Sequence, residues 1–498
     1  MSLKKNTIAN YIGQGYTTLI GIFMLPFYLT YLGGEAYGLV GFFTVMAAWL
    51  ALLDMGLSPT LARQCAHQRG LVGNDLGKLR QLVRSIEVVF AVLSLGIGIG
   101  INLAAPWIAS QWLTVKTLPQ TDVSYCITLM GIIIGLRWFG SLYRGGIQGM
   151  EQMVWLNAAN IVIASLRYVL VYGMLRWVTQ QATHFFEFQL AVSLIELAVL
   201  GIKFYVLMPK AKLQFYGFSW PTLKAVLPFT GSIAYTSSLW ILLTQTDKLI
   251  LSHLLPLKEY GYFALVAVIA NGLLTLTNPV SQAILPRMTL LLSQGNEADM
   301  LGLYRKSTQL VATLIFPIAG TLALFAKQVL FAWTGDLGAA NWGGPILQWL
   351  MLGNGILAIS SFQYYLQYAY GKLRLQVINS TINTIAQLPI LIFAANHYGA
   401  LGVAYAWFAL RLATFFIFPS IVHNRLAPGL HFRWLFIDLL PRLLLTVLCL
   451  TFFSIVIDVV NLQGRIALAA FLSLVVGFTI TANIGLFFIM QQWQKRKC

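Results

Sequence analysis

The sequence predicts an all-α polytopic membrane protein of about fourteen transmembrane helices. Twelve of them fall into two six-helix lobes related by a pseudo-two-fold axis along the membrane normal, and two further helices follow at the C-terminus. Three observations lead there. First, 58% of the 498 residues are hydrophobic and 9% are charged, with a mean hydropathy of +0.76, whereas a soluble domain carries about 25% charged residues. That leaves too little polar surface for a cytosolic enzyme, a secreted domain or a nucleic-acid binder. Second, bilayer-length apolar stretches run along the whole chain. Third, landmarks of the first half recur in the second.

Reading for roughly 20 apolar residues broken by charge, Pro or Gly places segments at about 8–31, 36–59, 85–108, 123–145, 154–176, 186–208, 227–251, 260–284, 308–331, 346–369, 376–396, 401–423, 435–457 and 466–490. The first, preceded by Lys4 and Lys5, exceeds a signal-peptide core and lacks a small-residue cleavage site, so it is expected to be retained. With the N-terminus inside, the cytoplasmic side collects about 21 Lys and Arg against about 5 opposite. The larger set runs from Lys4 through Arg63, Arg144 and Lys210 to the tail Lys495, Arg496 and Lys497; the smaller is Lys116, Arg176, Lys258, Lys327 and Arg465. Both termini are therefore expected in the cytoplasm. The net charge of +17 reflects topology, not nucleic acid.

Tyr37-Gly38 opens the second segment and Tyr260-Gly261 the eighth, with Glu35 and Glu259 just before them. Arg63 and Arg287, then Gly149 and Gly371, repeat at nearly the same offset. An even number of segments separates the copies, so the halves share orientation. The expected organisation is an N-lobe at 1–222, a C-lobe at 223–424, and the last two segments with a basic cytoplasmic tail at 425–498. Extramembrane stretches stay under about 25 residues, too short for a soluble domain. No GxxxxGK[ST] or strand-linked GxGxxG occurs, which argues against ATP as a direct energy source.

An ionisable residue inside a span costs roughly 2.5–3.5 kcal/mol on insertion scales and by default marks a pathway. The mid-span set is Arg137, Arg167, Glu196, Asp247, Lys248 and Arg411; nearer the ends lie Asp54, Glu87, Lys203, Asp438, Arg442 and Asp458. Cations outnumber anions at depth and come from both halves, as a phosphate-bearing ligand would require. The structural alternative for the arginines is buried pairing with Glu196 or Asp247. Adjacent Asp247 and Lys248 should face different directions, and Asp54, Lys203, Arg442 and Asp458 should snorkel or cap. No HxxxH or HExxH joins the six histidines, and Cys65, Cys126, Cys449 and Cys498 have no metal spacing, so neither metal nor cofactor is expected. Tyr364, Tyr365, Tyr368 and Tyr370 form a stripe that favours packing over sugar stacking.

Tyr31-Leu32-Gly33, Glu35-x-Tyr37-Gly38 and Leu53-Asp54-x-Gly56 leading to Arg63 resemble the N-terminus of the bacterial polysaccharide-transporter family, the O-antigen (Wzx-type) and exopolysaccharide flippases. Asp247-Lys248-Leu249-Ile250-Leu251 through Tyr260-Gly261, and Gly399-x-x-Gly402-Val403-Ala404, are similar to its second half. That family belongs with the multidrug extruders and peptidoglycan-precursor flippases. The resemblance implies a V-shaped pair of lobes, a cationic cavity and alternating access in a bacterial inner membrane. It implies no enzyme activity. The implied cargo is an undecaprenyl-pyrophosphate-linked oligosaccharide moved to the periplasmic leaflet. Membrane lipids, a polysaccharide polymerase and chain-length proteins are the further partners, and nucleic acid is not one. Arg137, Arg167, Lys248 and Arg411 are then the expected head-group ligands, with Arg63 in the motif region. Glu196 or Asp247 would carry any coupled ion. The competing reading is a cation-coupled small-molecule exporter, which calls for acidic pocket residues.

Overall fold

A computed structural model describes residues 3–54, 56–70, 76–208, 217–224, 227–460 and 464–497. Every regular element among them is helical. The chain divides into two compact units, Met1–Gly261 and Tyr262–Cys498.

The first unit begins with α1 (Leu3–Leu32), α2 (Gly34–Leu50), α3 (Leu57–Gly70) and α4 (Leu76–Trp107), which a π-helical turn prolongs over Ile108–Trp112. It continues with α5 (Gln120–Gly149), α6 (Met153–Ser165), a second π-helical turn at Leu166–Leu170, α7 (Val171–Trp177) and α8 (Ala182–Leu207). It ends with α9 (Trp220–Lys224) and α10 (Leu227–Leu254). Helix α5 lies at the centre, packed against α3, α4 and α8. Small residues let it approach: a Cβ on Gly145 would stand 2.5 Å from the Ser58 carbonyl oxygen, and one on Gly149 2.2 Å from that of Ala62. Such small-residue faces let helices close on one another where lipid supplies no hydrophobic drive. Phe90 and Trp138 stack at 4.0 Å in the core between α4 and α5. On the far side of α4, Val88, Val92, Leu95, Ile99 and Leu103 are exposed. They recur every three or four residues, an apolar stripe for lipid.

An outer staple ties this unit together. The Glu35 carboxylate, at the start of α2, accepts the backbone N–H of Lys116 (2.9 Å), Thr117 (2.8 Å) and Leu118 (3.1 Å) and the Thr117 hydroxyl (2.6 Å). Leu257 N–H donates to the Thr114 carbonyl at 2.9 Å. Beside this staple lies a cavity of about 350 Å³ lined by Gly34, Glu35, Lys116, Thr117, Pro256, Lys258 and Glu259. Glu35 and Glu259, the two acids ahead of the repeated Tyr-Gly, thus line one cavity.

Helix α11 (Leu257–Thr275) carries the division at Gly261. The second unit then holds α12 (Asn278–Ser293), α13 (Glu297–Leu324), α14 (Ala326–Thr334), α15 (Leu337–Ser360), α16 (Phe362–Ala369) and α17 (Arg374–Leu426). It closes with α18 (Leu430–Arg433), a π-helical turn at Trp434–Leu439, α19 (Leu440–Val460) and α20 (Arg465–Lys497). Gly399 interrupts α17 with φ 60° and ψ −149°, a conformation outside helical space. Beyond it the chain doubles back. Arg411 reaches Gln387 at 2.9 Å and Thr414 reaches Asn383 at 2.9 Å, so residues at nearly equal separations from Gly399 meet as in a hairpin. Helices α19 and α20 dock on α13 and α14 through Phe325, Leu450, Phe453, Leu472 and Val475.

Among the described residues, 12 helices are long and apolar enough to cross a membrane. The fourteen expected segments map onto these helices with several differences. Segments 376–396 and 401–423 both lie within α17, on either side of Gly399. Segment 227–251 falls on α10, a helix of 28 residues that is not among the twelve. Segment 260–284 runs across the break between α11 and α12, and segment 308–331 across that between α13 and α14. The side chains of Lys210, Lys212, Asp458, Lys495, Arg496, Lys497 and Cys498 lie outside the described residues.

Candidate functional site

Helix α8 carries Gln189, Ser193 and Glu196, spaced at four and three residues and all buried. That spacing sets three polar side chains on one helical face. Opposite them, α5 presents Arg137 and Arg144, two turns apart on one face. Arg137 donates from Nε to Ser193 Oγ at 3.0 Å and from Nη2 to Gln189 Oε1 at 2.8 Å, and its guanidinium lies 5.1 Å from the centroid of the Phe43 ring. Arg144 Nη2 donates to Glu196 Oε1 at 2.6 Å. Arg167 Nη2 donates to Glu196 Oε2 at 2.5 Å.

The π-helical turn Leu166–Leu170 is what aims Arg167. A π turn frees carbonyls from the regular ladder, and such bulges occur often at functional sites. Here the Tyr28 hydroxyl donates to the Tyr168 carbonyl at 2.9 Å, and Gln189 Nε2 donates to the Arg167 carbonyl at 3.1 Å. The backbone of the turn is thereby held while the Arg167 side chain crosses to α8. Three guanidinium groups surround one carboxylate, and among the described residues Arg137 has only neutral hydrogen-bond partners. The cluster carries net positive charge. The Arg144 and Arg167 side chains keep 37% and 21% of their surface, against 7% for Glu196. A partly exposed cation within a span, as Arg167 is, is expected to face a polar environment and not lipid.

The structure thus joins three of the expected residues, Arg137, Arg167 and Glu196. It adds Arg144, near the C-terminal end of helix α5, a cation that the charge pattern assigns to the cytoplasmic side. Its position two turns from Arg137 was the available signal. Gln189 and Ser193 were overlooked because uncharged polar residues barely disturb hydropathy.

Lys248 and Asp247 are buried on α10 and share no hydrogen bond with the cluster among the described residues. They pair with each other, Nζ to Oδ1 at 3.1 Å, while Nζ also donates to the Thr244 carbonyl at 2.5 Å. This corrects the expectation that they face apart: the long lysine side chain folds back toward its neighbour. Arg411, in the second unit, sits 4.0 Å from the centroid of the Trp407 ring and binds Gln387. Arg63 is exposed on α3.

Among the near-end charges of the second unit, Arg442 departs from expectation: it is fully buried and does not snorkel, and Asp438 beside it is fully buried too. Arg305 Nε and Nη2 each bind Asp438 at 2.8 Å, and Gln309 Nε2 donates to it at 2.6 Å. Arg442 Nη1 reaches the Asp438 carbonyl at 2.7 Å. Glu87, likewise buried, accepts from Arg84 at 2.9 Å and from the Tyr143 hydroxyl at 3.0 Å. These networks join helices as a paired, satisfied core. His423 and His431, eight residues apart in sequence, meet Nδ1 to Nδ1 at 3.3 Å, with the Tyr304 hydroxyl 2.8 Å from His423 Nε2. The tyrosine stripe packs edge-on within itself at Tyr364–Tyr365, and the Tyr370 hydroxyl donates to Glu297. Among the described residues, no group of three or more His, Cys, Asp or Glu could hold a metal ion.

Residues 3–292 match the family described as polysaccharide biosynthesis protein. The chain is 22% identical over 414 residues, covering 82% of it and 94% of the relative, to a Shigella flexneri protein whose name proposes an O-antigen transporter. Its fold resembles that of the lipid II flippase MurJ in an inward closed conformation, with a TM-score of 0.71, 12% identity, and coverage of 96% of this chain and 98% of that one. It also resembles an inward-facing multidrug resistance MATE family transporter of the MOP superfamily, with a TM-score of 0.60, 15% identity, and coverage of 82% and 95%.

Proposed function

The chain belongs to the polysaccharide biosynthesis protein family, and from that premise we propose that it is a flippase for lipid-linked oligosaccharide. In this reading an undecaprenyl-pyrophosphate-linked O-antigen or exopolysaccharide repeat unit passes from the cytoplasmic to the periplasmic leaflet of a bacterial inner membrane. The movement is alternating access by lobes 1–222 and 223–424, with 425–498 outside the duplication and both termini cytoplasmic. The observation that carries the proposal is the excess of arginine over glutamate where Arg137, Arg144 and Arg167 surround Glu196. Arginine forks suit phosphate oxygens. A cation-coupled exporter would want the opposite polarity.

An elementary charge crossing the membrane is worth about 2.3 kcal/mol per 100 mV. An inside-negative potential of roughly 150 mV would therefore supply about 7 kcal/mol to a doubly charged head group, provided the arginines stay behind.

The test is a reconstituted flipping assay. Purified protein in liposomes receives fluorescent prenyl-pyrophosphate oligosaccharide, and a membrane-impermeant reagent scores the leaflet, with and without an imposed potential. Protein-dependent transfer is expected, abolished in Arg137→Gln and in Arg411→Gln with expression unchanged. Absence of transfer under any gradient would return the reading to small-molecule export.

A further inference from the structure

We infer that Glu196 sets how much negative charge the arginine cluster accepts, which makes it a specificity-determining residue for a head group of two charges; the inference rests on the flippase reading above. The charges that face Glu196 are Arg137 and Arg144 from α5 and Arg167 from the π-helical turn, while α8 adds only neutral Gln189 and Ser193. Three positive charges against one negative leave two. A pyrophosphate diester carries about two negative charges, so cluster and head group together are neutral, the condition a buried charge assembly needs.

The geometry describes a seat already held by a resident anion. Each Glu196 oxygen takes a different arginine through a single Nη2, so neither guanidinium spends its two-pronged fork on the carboxylate. Arg167 Nε is buried without a hydrogen-bond partner. A carboxylate bridging two arginines in this way fixes their spacing while leaving donors for a second anion beside it. Without Glu196 the seat would carry three charges and favour a more highly charged ligand.

Titration of the full-length protein with three short-chain prenyl probes at pH 8 and low salt tests this. The probes are a sugar phosphodiester (about one charge), a sugar pyrophosphodiester (about two) and a free prenyl diphosphate (about three). Wild type should prefer the two-charge probe. In Glu196→Gln, the ratio of affinities should move about tenfold toward the three-charge probe, because specificity is a difference of affinities that one uncompensated charge can shift that far. Glu196→Asp should keep the wild-type ratio. The double substitution Arg144→Gln with Glu196→Gln restores a net charge of two and should return the preference to the two-charge probe. Arg144→Gln alone should move it toward the one-charge probe, a readout that stands even where Glu196→Gln fails to fold. An unchanged ratio in folded Glu196→Gln, or no shift in Arg144→Gln, overturns the inference and leaves the flippase reading intact. Failure of wild type to bind any probe overturns both.

Discussion

Asp438 holds Arg305 through two hydrogen bonds and touches Gln309, with none of its own surface exposed. Removing that charge leaves the half-buried Arg305 and the buried Arg442 facing no anion in this network. Breaking one partner of a buried pair costs about 3–5 kcal/mol, so Asp438→Asn should lower the melting temperature measured in detergent. An unchanged melting temperature would mean that the network contributes no net stability. At this scale the sequence speaks selectively. Arg137, Arg167 and Glu196 are legible because a charge in the middle of an apolar run has no innocent position. Arg144 is not legible as part of the cluster, since a charge near a helix end reads as a cytoplasmic-side charge until the facing helix is known; Asp438 is visible near a span end, but its partners Arg305 and Gln309 are not. Lys248 pairing with its own neighbour was equally hidden, because helical periodicity places side-chain bases and not the reach of a flexible tip.

Two of the charges in these networks, Arg167 and Asp438, stand on π-helical turns. The hydropathy pattern reveals spans but not these turns, because an extra residue in one turn changes no composition. Their carbonyls need outside donors, and Tyr28 is one of them. Tyr28→Phe should therefore cost about 1 kcal/mol, the net worth of a typical hydrogen bond, and slow flipping at unchanged expression by loosening the turn that aims Arg167. Wild-type flipping rates would show that the turn holds without it. The hairpin in α17 is a second case where local geometry decides. Gly399 adopts φ 60° and ψ −149°, a conformation that costs a side-chain-bearing residue roughly 1–3 kcal/mol, so Gly399→Val should reduce thermal stability by about that much, whereas Gly302→Ala, in open space within α13, should not.

Over the whole molecule, we propose that an excess of Lys and Arg on the cytoplasmic side orients the chain. In a background with the native cysteines replaced by alanine, an impermeant maleimide added to intact cells should label Lys116→Cys and spare Lys372→Cys. Both positions are exposed, and the reverse pattern would invert the topology. The general architecture was readable from composition and repeat because a bilayer allows so few solutions. What the sequence left open was how neighbouring segments are joined. The single-residue turn at Gly399 bears on biogenesis. Two helices linked by one residue leave no polar loop at which the translocation machinery could release the first before receiving the second. They must leave the channel as a preformed pair, with Arg411 already shielded by Gln387 and Trp407, so the chain carries this cation across the insertion barrier in company.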